Sequence, residues 1–416
     1  MNSDEVLVLS AHLSLESIDD SSGDRVVVNT LTGQRLQMTQ ESIKILGAFR
    51  TPCTLSDAAK SLGISDYDGC EKLRSIVSPL VDACFLVRVC DAVRHVQESL
   101  RMIVNTDCLV RPRTTFAHCP SMRVAEIEEG TVVIAGIGID QATTGHPGAR
   151  FGAERLREVS ARFITYDRDI FTLANRGWYL ADAGKTILEG VRFTDVGNVV
   201  HQLSEDAKGL YERSYRAALS IHQRKALPVF IGGDHSISAP LIMACREVHE
   251  DITLIHFDAH TDLGEWDASV THHHGNVMSR VLHENPKLEV RQFGIRGFTG
   301  TPPSGGRCQT VSQVEIDADL DEVIARYIPQ GRKCYISIDV DVLDPSVAPG
   351  TGTPVPMGMM PQTLLRLLQA VAIQNRIVGI DVVELCPSLD RDDMTASLVF
   401  HMLMHLLGWS HERTRT

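Results

Sequence analysis

Six short segments between residues 131 and 385 are almost continuously apolar, and segments with helical periodicity lie between them. Strands of this composition are buried on both faces, as in a parallel sheet covered by helices. The pattern therefore predicts an α/β fold in which helices flank a parallel sheet. The expected strands are 131–139, 226–233, 252–260, 290–297, 333–342 and 376–385, with helices at 202–223, 238–248 and 361–374.

The first hundred residues follow a different pattern, with shorter elements. Segments 24–30 and 33–39 predict a hairpin, and 85–89 predicts a further strand. Three helices are expected between them; Thr54 can cap the second, and Leu73, Ile76, Val77 and Leu80 form the apolar face of the third. This order predicts a small winged-helix-like α+β domain over 1–105. Residues 106–126 have no sustained period and are interpreted as a linker, followed by the large α/β domain over 127–416.

Composition excludes several classes of protein. The net charge is −13 and there is no basic block, which argues against a nucleic-acid binder. The apolar runs are shorter than the roughly 20 residues of a membrane span, and MNSDEVLVLS has no basic segment leading into a long apolar run, so neither a membrane segment nor a secretory signal is expected. None of the ten cysteines forms a CxxC pair, so we expect reduced thiols and a cytoplasmic location.

Three polar clusters end apolar segments of the predicted sheet. They are Gly232–Ser236 (GGDHS), Asp258–Asp262 (DAHTD) and Asp339–Asp341 (DVD). Open α/β sheets bind ligands at the carboxyl ends of their strands. Taken alone, the first cluster is also compatible with a capped helix and the third with a calcium-like turn or a helix start.

Together, the clusters bring four carboxylates and two imidazoles to one edge of the sheet. Buried carboxylates repel one another, and two divalent cations would remove that repulsion. The mixed Asp/His set suits manganese or a similar borderline metal.

These motifs resemble those of the ureohydrolases, the arginase and agmatinase family of dinuclear manganese enzymes. The resemblance extends from about residue 127 to the C-terminus and includes PGARFG (147–152), APGTGTPVP (348–356) and DVVELCPSLD (381–390). In the last motif Cys386 stands where the family pattern has Asn, which leaves the geometry around Glu384 open. The resemblance implies a three-layer, parallel-sheet arginase-like fold for a catalytic domain over 127–416, and a homo-oligomer.

The resemblance also implies the roles of individual residues. Asp341 matches the carboxylate that bridges two Mn²⁺ ions and orients a hydroxide for attack on the guanidinium carbon. Glu384 matches the acid that pairs with the guanidinium, a directional, bidentate interaction. His274 matches the proton donor to the leaving amine, in preference to His272 and His273. The implied metal ligands are His235, Asp258, His260, Asp262, Asp339 and Asp341.

Other polar residues near these motifs receive supporting roles. Asp234 and Asp381 are expected to orient the metal ligands. His256 lies inside an apolar strand, which predicts a core residue or a hydrogen-bonding partner of a ligand. Arg296 is a candidate for the lining of the site, with its role left open, and the cysteines receive no chemical role.

Two features bear on the substrate. Enzymes resembling true arginase bind the free α-carboxylate of arginine through an Asn shortly after the last aspartate of the DAHTD motif and through a later Ser. In this sequence Leu263 and Gly264 follow Asp262 instead. In addition, residues 1–105 resemble the PqqD-like domains that bind leader peptides of ribosomally made, modified peptides. The matching features are the turn at Gly33, the strand at 36–39, and helices around 43–46, 54–63 and 73–80.

Together these resemblances imply a peptide arginase, which binds the leader of an arginine-containing precursor peptide and converts arginine side chains to ornithine and urea. One alternative is a hydrolase of a small guanidine such as agmatine or guanidinobutyrate, with a structural N-terminal domain. A remote alternative is a non-catalytic protein that binds a guanidine or a peptide.

Overall fold

The computed structural model describes residues 5–9, 13–17, 25–29, 35–83, 85–89, 108–163, 177–181, 183–201, 207–266, 272–298 and 306–415. The chain divides into two units, Met1–Asn105 and Thr106–Thr416.

The first unit has two small antiparallel sheets and three helices among its described residues. Its strands are β1 (Val6–Leu9), β2 (Leu13–Ser17), β3 (Arg25–Asn29), β4 (Arg35–Met38), β5 (Cys53–Thr54) and β6 (Leu86–Arg88), in the orders β2-β3-β4 and β5-β1-β6. Its helices are α1 (Gln40–Gly47), α2 (Leu55–Ser61) and α3 (Tyr67–Asp82). The predicted turn around Gly33 lies outside the described residues, and the winged-helix assignment stays a prediction.

Local sequence signals explain two of these helices. Thr54 and Asp57 form a reciprocal capping box at the start of α2, with Asp57 N donating to Thr54 Oγ1 over 3.1 Å. On α3, Leu73, Val77 and Leu80 are buried as predicted. Ile76 is 41% exposed instead, because it lies about 100° around the helix from Val77 and at the margin of the buried stripe.

The second unit is built on a nine-stranded sheet. The described strands of this unit, in that sheet and in a separate pair, are β7 (Leu109–Val110), β8 (Val132–Ile137), β9 (Trp178–Leu180), β10 (Lys185–Ile187), β11 (Phe193–Val199), β12 (Leu227–Gly232), β13 (Ile252–Phe257), β14 (Glu289–Ile295), β15 (Cys308–Ser312), β16 (Lys333–Asp339) and β17 (Arg376–Val383). The order is β15-β14-β13-β16-β17-β12-β8-β11-β7, and β9 and β10 pair separately as a hairpin. All neighbours in the large sheet are parallel except β7, which pairs antiparallel with β11.

Helices cover both faces of this sheet. They are α4 (Gly152–Ser160), α5 (Ala207–Gln223), α6 (Ser238–Val248), α7 (Val277–Glu284), α8 (Gln313–Ala318), α9 (Leu320–Tyr327), α10 (Pro361–Gln374) and α11 (Met394–Arg415). Strand β12 shows the two-sided burial: Val229 and Ile231 pack in the core shared with α4, α10 and α11, and Phe230 packs in the core shared with α5, α6 and α7. The predicted three-layer α/β architecture with a mostly parallel sheet is therefore present. Within the described residues, no helix combines the length and the apolar character needed to cross a membrane.

The linker predicted at 106–126 is wrong, because its described part is packed into the second unit. Leu109–Val110 forms the edge strand β7, and Phe116 is fully buried. The amide of Phe116 donates to Asp195 Oδ2 over 3.0 Å. An irregular segment held by a buried carboxylate needs no periodic pattern of its own, so this packing has no signal in the sequence.

Asp195 also forms a buried ion pair with Arg157. Arg157 Nε and Nη2 donate to the two carboxylate oxygens over 2.8 and 3.0 Å, and the two side chains are 1% and 0% exposed. Asp195 therefore joins α4, β11 and the segment at Phe116 through one carboxylate.

We predict that Asp195→Ala lowers the free energy of unfolding by about 3–5 kcal/mol, because the substitution leaves a buried guanidinium without its partner. Chemical denaturation measures this change. Asp321→Ala, which removes one partner of the exposed pair with Arg366, is the control and should change stability by about 0.5 kcal/mol or less. Equal effects of the two substitutions would contradict the role of Asp195.

Candidate metal centre

The predicted site residues follow four neighbouring strands at the centre of the sheet, β13, β16, β17 and β12. Because these strands are parallel, their carboxyl ends meet at one edge. That edge carries the three polar clusters and Glu384, which follows β17 directly.

His235 Nδ1 faces three carboxylates at once. It lies 3.1 Å from Asp258 Oδ2, 3.1 Å from Asp262 Oδ2 and 3.3 Å from Asp339 Oδ2. None of these contacts has hydrogen-bond geometry, although the nitrogen is buried. One ring nitrogen can share a single proton, so a cation satisfies this arrangement better than a hydrogen bond.

The other nitrogen of His235 is held by a buried network. Tyr335 and Ser337 donate hydroxyl protons to Asp381 over 2.8 and 2.7 Å. Ser337 Oγ can then accept the proton on His235 Nε2, which lies 3.0 Å away. This assignment leaves a lone pair on Nδ1, directed at the carboxylates, as a metal ligand requires.

A second group of ligands overlaps the first. His260 Nδ1 lies 3.0 Å from Asp341 Oδ2 and 3.5 Å from Asp258 Oδ1. Asp258 thus takes part in both groups, whereas Asp341 belongs to the second alone. Asp341 is the shared ligand that the family resemblance implies, whereas in the structure the two oxygens of Asp258 face the two histidines, which favours Asp258 for that position.

His256 orients Asp258. Gln292 Nε2 donates to the carbonyl of Thr261 over 2.7 Å, which fixes the orientation of the amide. The same amide lies 3.0 Å from His256 Nδ1, which must therefore accept. The proton is left on Nε2 of His256, which lies 2.9 Å from Asp258 Oδ2, an electrostatic contact without hydrogen-bond geometry. His256 is therefore placed beside a metal-ligand candidate rather than in the apolar core alone, which is closer to the second of the two roles that its sequence position allows.

The buried carboxylates repel one another, and this repulsion affects their pKa values. Burial, and then the neighbouring carboxylates, raise the pKa of Asp339 and of Asp341. Burial would also raise the pKa of Asp258, but His256, His235 and His260 outweigh it and hold that pKa well below its usual range. Two divalent cations would allow all of these groups to be ionised together, so the donor set fits a dinuclear metal site.

His274 lies beside this cluster and contacts Glu384. His274 Nδ1 is 3.1 Å from Glu384 Oε1, and the amide of Thr144 donates to Nε2 over 2.9 Å. An amide donor at Nε2 places the ring proton on Nδ1, toward Glu384. Burial would lower the pKa of His274, but Glu384 and then Asp262 and Asp234 outweigh it and raise that pKa.

The neighbouring histidines have other partners. His272 Nε2 contacts the carbonyl of Ser236 at 2.8 Å, and its ring packs edge-on against Tyr211 and Trp266. His273 caps the short 3₁₀ turn that carries His274, through a hydrogen bond from Gly275 N to its Nδ1. Of the three, His274 is the one that contacts Glu384.

A cavity of about 350 Å³ opens next to the centre. His260, Asp262, Asp339 and His274 line it, and Phe298 stands fully exposed at its wall. Glu384 is 1% exposed and is not among the described residues that line the cavity. It accepts a hydrogen bond from His235 N over 3.0 Å, also at Oε1.

Arg296 lines the cavity but is engaged by the backbone. Its guanidinium donates to carbonyl oxygens that include those of Asp341, Leu343 and Val355, at 2.7, 3.2 and 2.7 Å. Arg296 therefore ties the loop after β16 to the loop at 353–356, which settles the role that the sequence left open.

Unusual backbone angles and close packing characterise further positions around the site. Asp262 and Glu384 have positive φ angles of 49° and 62°, a conformation that non-glycine residues adopt mainly at constrained sites. Cys386, at the departure from the family pattern, packs against the PGARFG loop with Sγ 3.7 Å from the carbonyl of Pro147. A Cβ at Gly148 would lie 2.4 Å from that sulfur, so the loop requires glycine there.

Sequence reasoning missed three supporting residues, Thr144, Gln292 and Ser337. Ser337 precedes Asp339 by two residues on β16, so strand periodicity could have placed it on the same face. Gln292 and Thr144 carry no such signal, because their partners come from distant parts of the chain.

We predict that Asp258→Ala removes both bound metal ions, because Asp258 belongs to both ligand groups, and that Asp341→Ala removes mainly one. Elemental analysis of the manganese-loaded variants after gel filtration measures the stoichiometry. Asp344→Ala is the control, because this carboxylate accepts from the amides of Ser346 and Gly358 instead. Full metal content in Asp258→Ala would contradict the shared position.

The sequence matches known proteins over this second unit. A profile of the Arginase family matches residues 130–408. Agmatinase of Bacillus cereus is 31% identical over 290 residues, which is 68% of this chain and 93% of that protein. The mitochondrial guanidino acid hydrolase of Homo sapiens is 31% identical over 282 residues, or 65% and 76% of the two chains.

Solved structures show the same similarity. A hypothetical agmatinase from Burkholderia thailandensis superposes with a TM-score of 0.63 at 25% identity, over 73% of this chain and 92% of that one. Proclavaminate amidino hydrolase from Streptomyces clavuligerus superposes with a TM-score of 0.62 at 26% identity, over 74% and 100%. The chain belongs to the arginase family and is a hydrolase of the arginase and agmatinase type.

Proposed function

We propose that this protein is a dinuclear manganese hydrolase that converts arginine side chains of a ribosomal precursor peptide to ornithine and releases urea. The observation that carries the reaction class is the pair of ligand groups sharing Asp258, next to a cavity lined by His274. His235, Asp258, His260, Asp262, Asp339 and Asp341 would hold the ions. When bound, two Mn²⁺ ions supply an activated water as the nucleophile.

Residues of the chain would bind the guanidinium, donate the proton and position the metal ligands. Glu384 accepts hydrogen bonds at Oε1 from His235 and His274, and we assign its other oxygen to the substrate guanidinium. Against the effect of burial, Glu384 raises the pKa of His274, which favours the imidazolium form, and in that form His274 would donate a proton to the departing amine and return to the neutral ring. The buried Asp381–Ser337 and Gln292–His256 pairs hold His235 and Asp258 in place, so that little reorganisation accompanies the reaction.

The cavity wall supports a substrate larger than free arginine. Leu263, Gly264 and Glu265 line the wall after Asp262. An acidic side chain there disfavours the α-carboxylate of free arginine, which a peptide arginine does not carry. Phe298, fully exposed at the cavity, offers an apolar surface for a residue next to the reacting arginine.

The first unit is our candidate for leader binding. Peptides can add as a strand to the edge of a small sheet, where main-chain hydrogen bonds provide much of the affinity. Among the described residues, β2 and β4 are the outer strands of one sheet, and Leu36 on β4 is 37% exposed. Tethering the leader would raise the local concentration of the reacting arginine.

A second candidate is hydrolysis of a small guanidine. Glu265 is exposed at the cavity, where it could pair with the ammonium group of agmatine. The first unit would then have a structural role.

Urea release by the manganese-loaded full chain distinguishes these candidates. The panel is free arginine, agmatine, 4-guanidinobutyrate and an arginine-containing precursor peptide encoded beside the gene. We expect urea from the peptide, with the mass decrease of arginine conversion to ornithine. Urea from a small guanidine alone would favour the second candidate, and no urea from any compound would indicate a non-catalytic binder.

We predict that His274→Ala lowers kcat by about 10²–10⁴-fold, the usual contribution of a general acid, while the bound metal is retained. The control is His273→Asn, which keeps a side-chain acceptor at the cap and should stay within a few-fold of wild type. Steady-state urea release and metal content are the measurements. An unchanged kcat in His274→Ala would move the proton-donor role to another group.

We also predict that a chain beginning at Thr106 loses about 10²-fold in kcat/KM on a leader-bearing precursor, because the tethering contribution is lost. The same truncation should leave kcat/KM unchanged on the leaderless peptide of identical core sequence. Equal losses on both peptides would instead assign a folding role to the first unit.

A further inference from the structure

A second group of metal-ligating side chains lies away from the catalytic edge of the sheet. It consists of His222, Cys245 and His249, whose ring nitrogen and sulfur atoms all lie within 4.8 Å of one another. His222 is in the last turn of α5, Cys245 is in α6, and His249 follows the end of α6. Helix α6 begins beside the catalytic cluster at Ser238, and Cys245 lies seven residues further along it, so the two groups are separated by roughly 10 Å along the helix.

His222 is the observation that points to a ligand. The side chain is fully buried, and neither ring nitrogen has a hydrogen-bond partner among the described residues. Buried polar groups are normally paired, so an imidazole with two unpaired nitrogens requires an explanation. Burial, and then the nearby His249, lower the pKa of His222 to about 3, so the ring is neutral and offers a lone pair.

Cys245 and His249 complete a set of three ligands. They are four residues apart at the end of α6, a spacing that puts two side chains on the same side of a helix. The thiol of Cys245 is fully buried, and the ring of His249 meets that of His222 edge-on at 5.5 Å. The edges of a tetrahedral zinc site are about 3.4–3.7 Å, from bond lengths of roughly 2.0–2.3 Å, so small side-chain rotations would close the group around an ion.

We propose that His222, Cys245 and His249 bind a zinc ion that joins the C-terminal ends of α5 and α6. Two imidazoles and a thiolate favour zinc, whereas the carboxylate-rich catalytic cluster favours manganese. His249 borders a cavity of about 410 Å³, from which a water molecule completes the coordination. Lys333 and Arg376 act on His249 electrostatically and oppose a cation there; the thiolate formed when zinc displaces the Cys245 proton offsets part of that repulsion.

The catalytic cluster contains no thiol among its described ligands, which allows the two sites to be told apart. The experiment is a titration of the metal-stripped full chain with Co²⁺, followed by near-ultraviolet absorption. We expect a cobalt–thiolate charge-transfer band in the wild type, and loss of that band in Cys245→Ser. Cys334→Ser, which alters a buried cysteine on the other face of the sheet, is the matched control and should keep the band.

A second variant, His249→Gln, tests the proposal even if Cys245→Ser misfolds. His249 is partly exposed, so His249→Gln should fold, retain both ions of the catalytic centre and lose one zinc per chain by elemental analysis of zinc-loaded protein. A wild type without the thiolate band, or a band that persists in Cys245→Ser, would overturn the proposal. Both results are independent of whether the enzyme releases urea from any substrate.

Discussion

The mutual repulsion of buried carboxylates at the end of the central strands is the constraint on which the rest of the site depends. Asp258, Asp339 and Asp341 are almost inaccessible to water, where ionised groups are costly unless they are paired. Around them the described residues supply oriented hydrogen-bond donors and imidazoles, and the guanidinium of Arg296 is engaged by backbone carbonyls. Binding of divalent cations and correct positioning of the catalytic groups therefore depend on the same buried carboxylates.

The sheet could be predicted where burial on both faces produces continuous apolar runs, and six of its strands were recognised for that reason. Strand β11 was missed because Asp195, Gly197 and Asn198 interrupt its apolar pattern. Those groups accept hydrogen bonds from Arg157, a partner that is distant in sequence. The same carboxylate anchors the segment at Phe116, so one unpredictable ion pair accounts both for the missed strand and for the wrong linker.

The candidate site was more predictable than its supporting network. The aspartates and histidines of the three clusters lie at strand ends, where spacing alone brings them together. Which carboxylate is shared between the two groups depends on side-chain directions, and these favour Asp258 over Asp341. Likewise, the Cys245–His249 spacing has no meaning until the fold brings His222 from another helix to the same point.

We propose that two metal ions bind at the carboxyl ends of β13 and β16 and share Asp258. Anomalous diffraction at the manganese edge, from crystals of the manganese-loaded chain, tests it directly. We predict two peaks roughly 3.5–4 Å apart, both within coordination distance of Asp258, with His235 next to one and His260 next to the other. A single peak, or two peaks without Asp258 between them, would contradict the account.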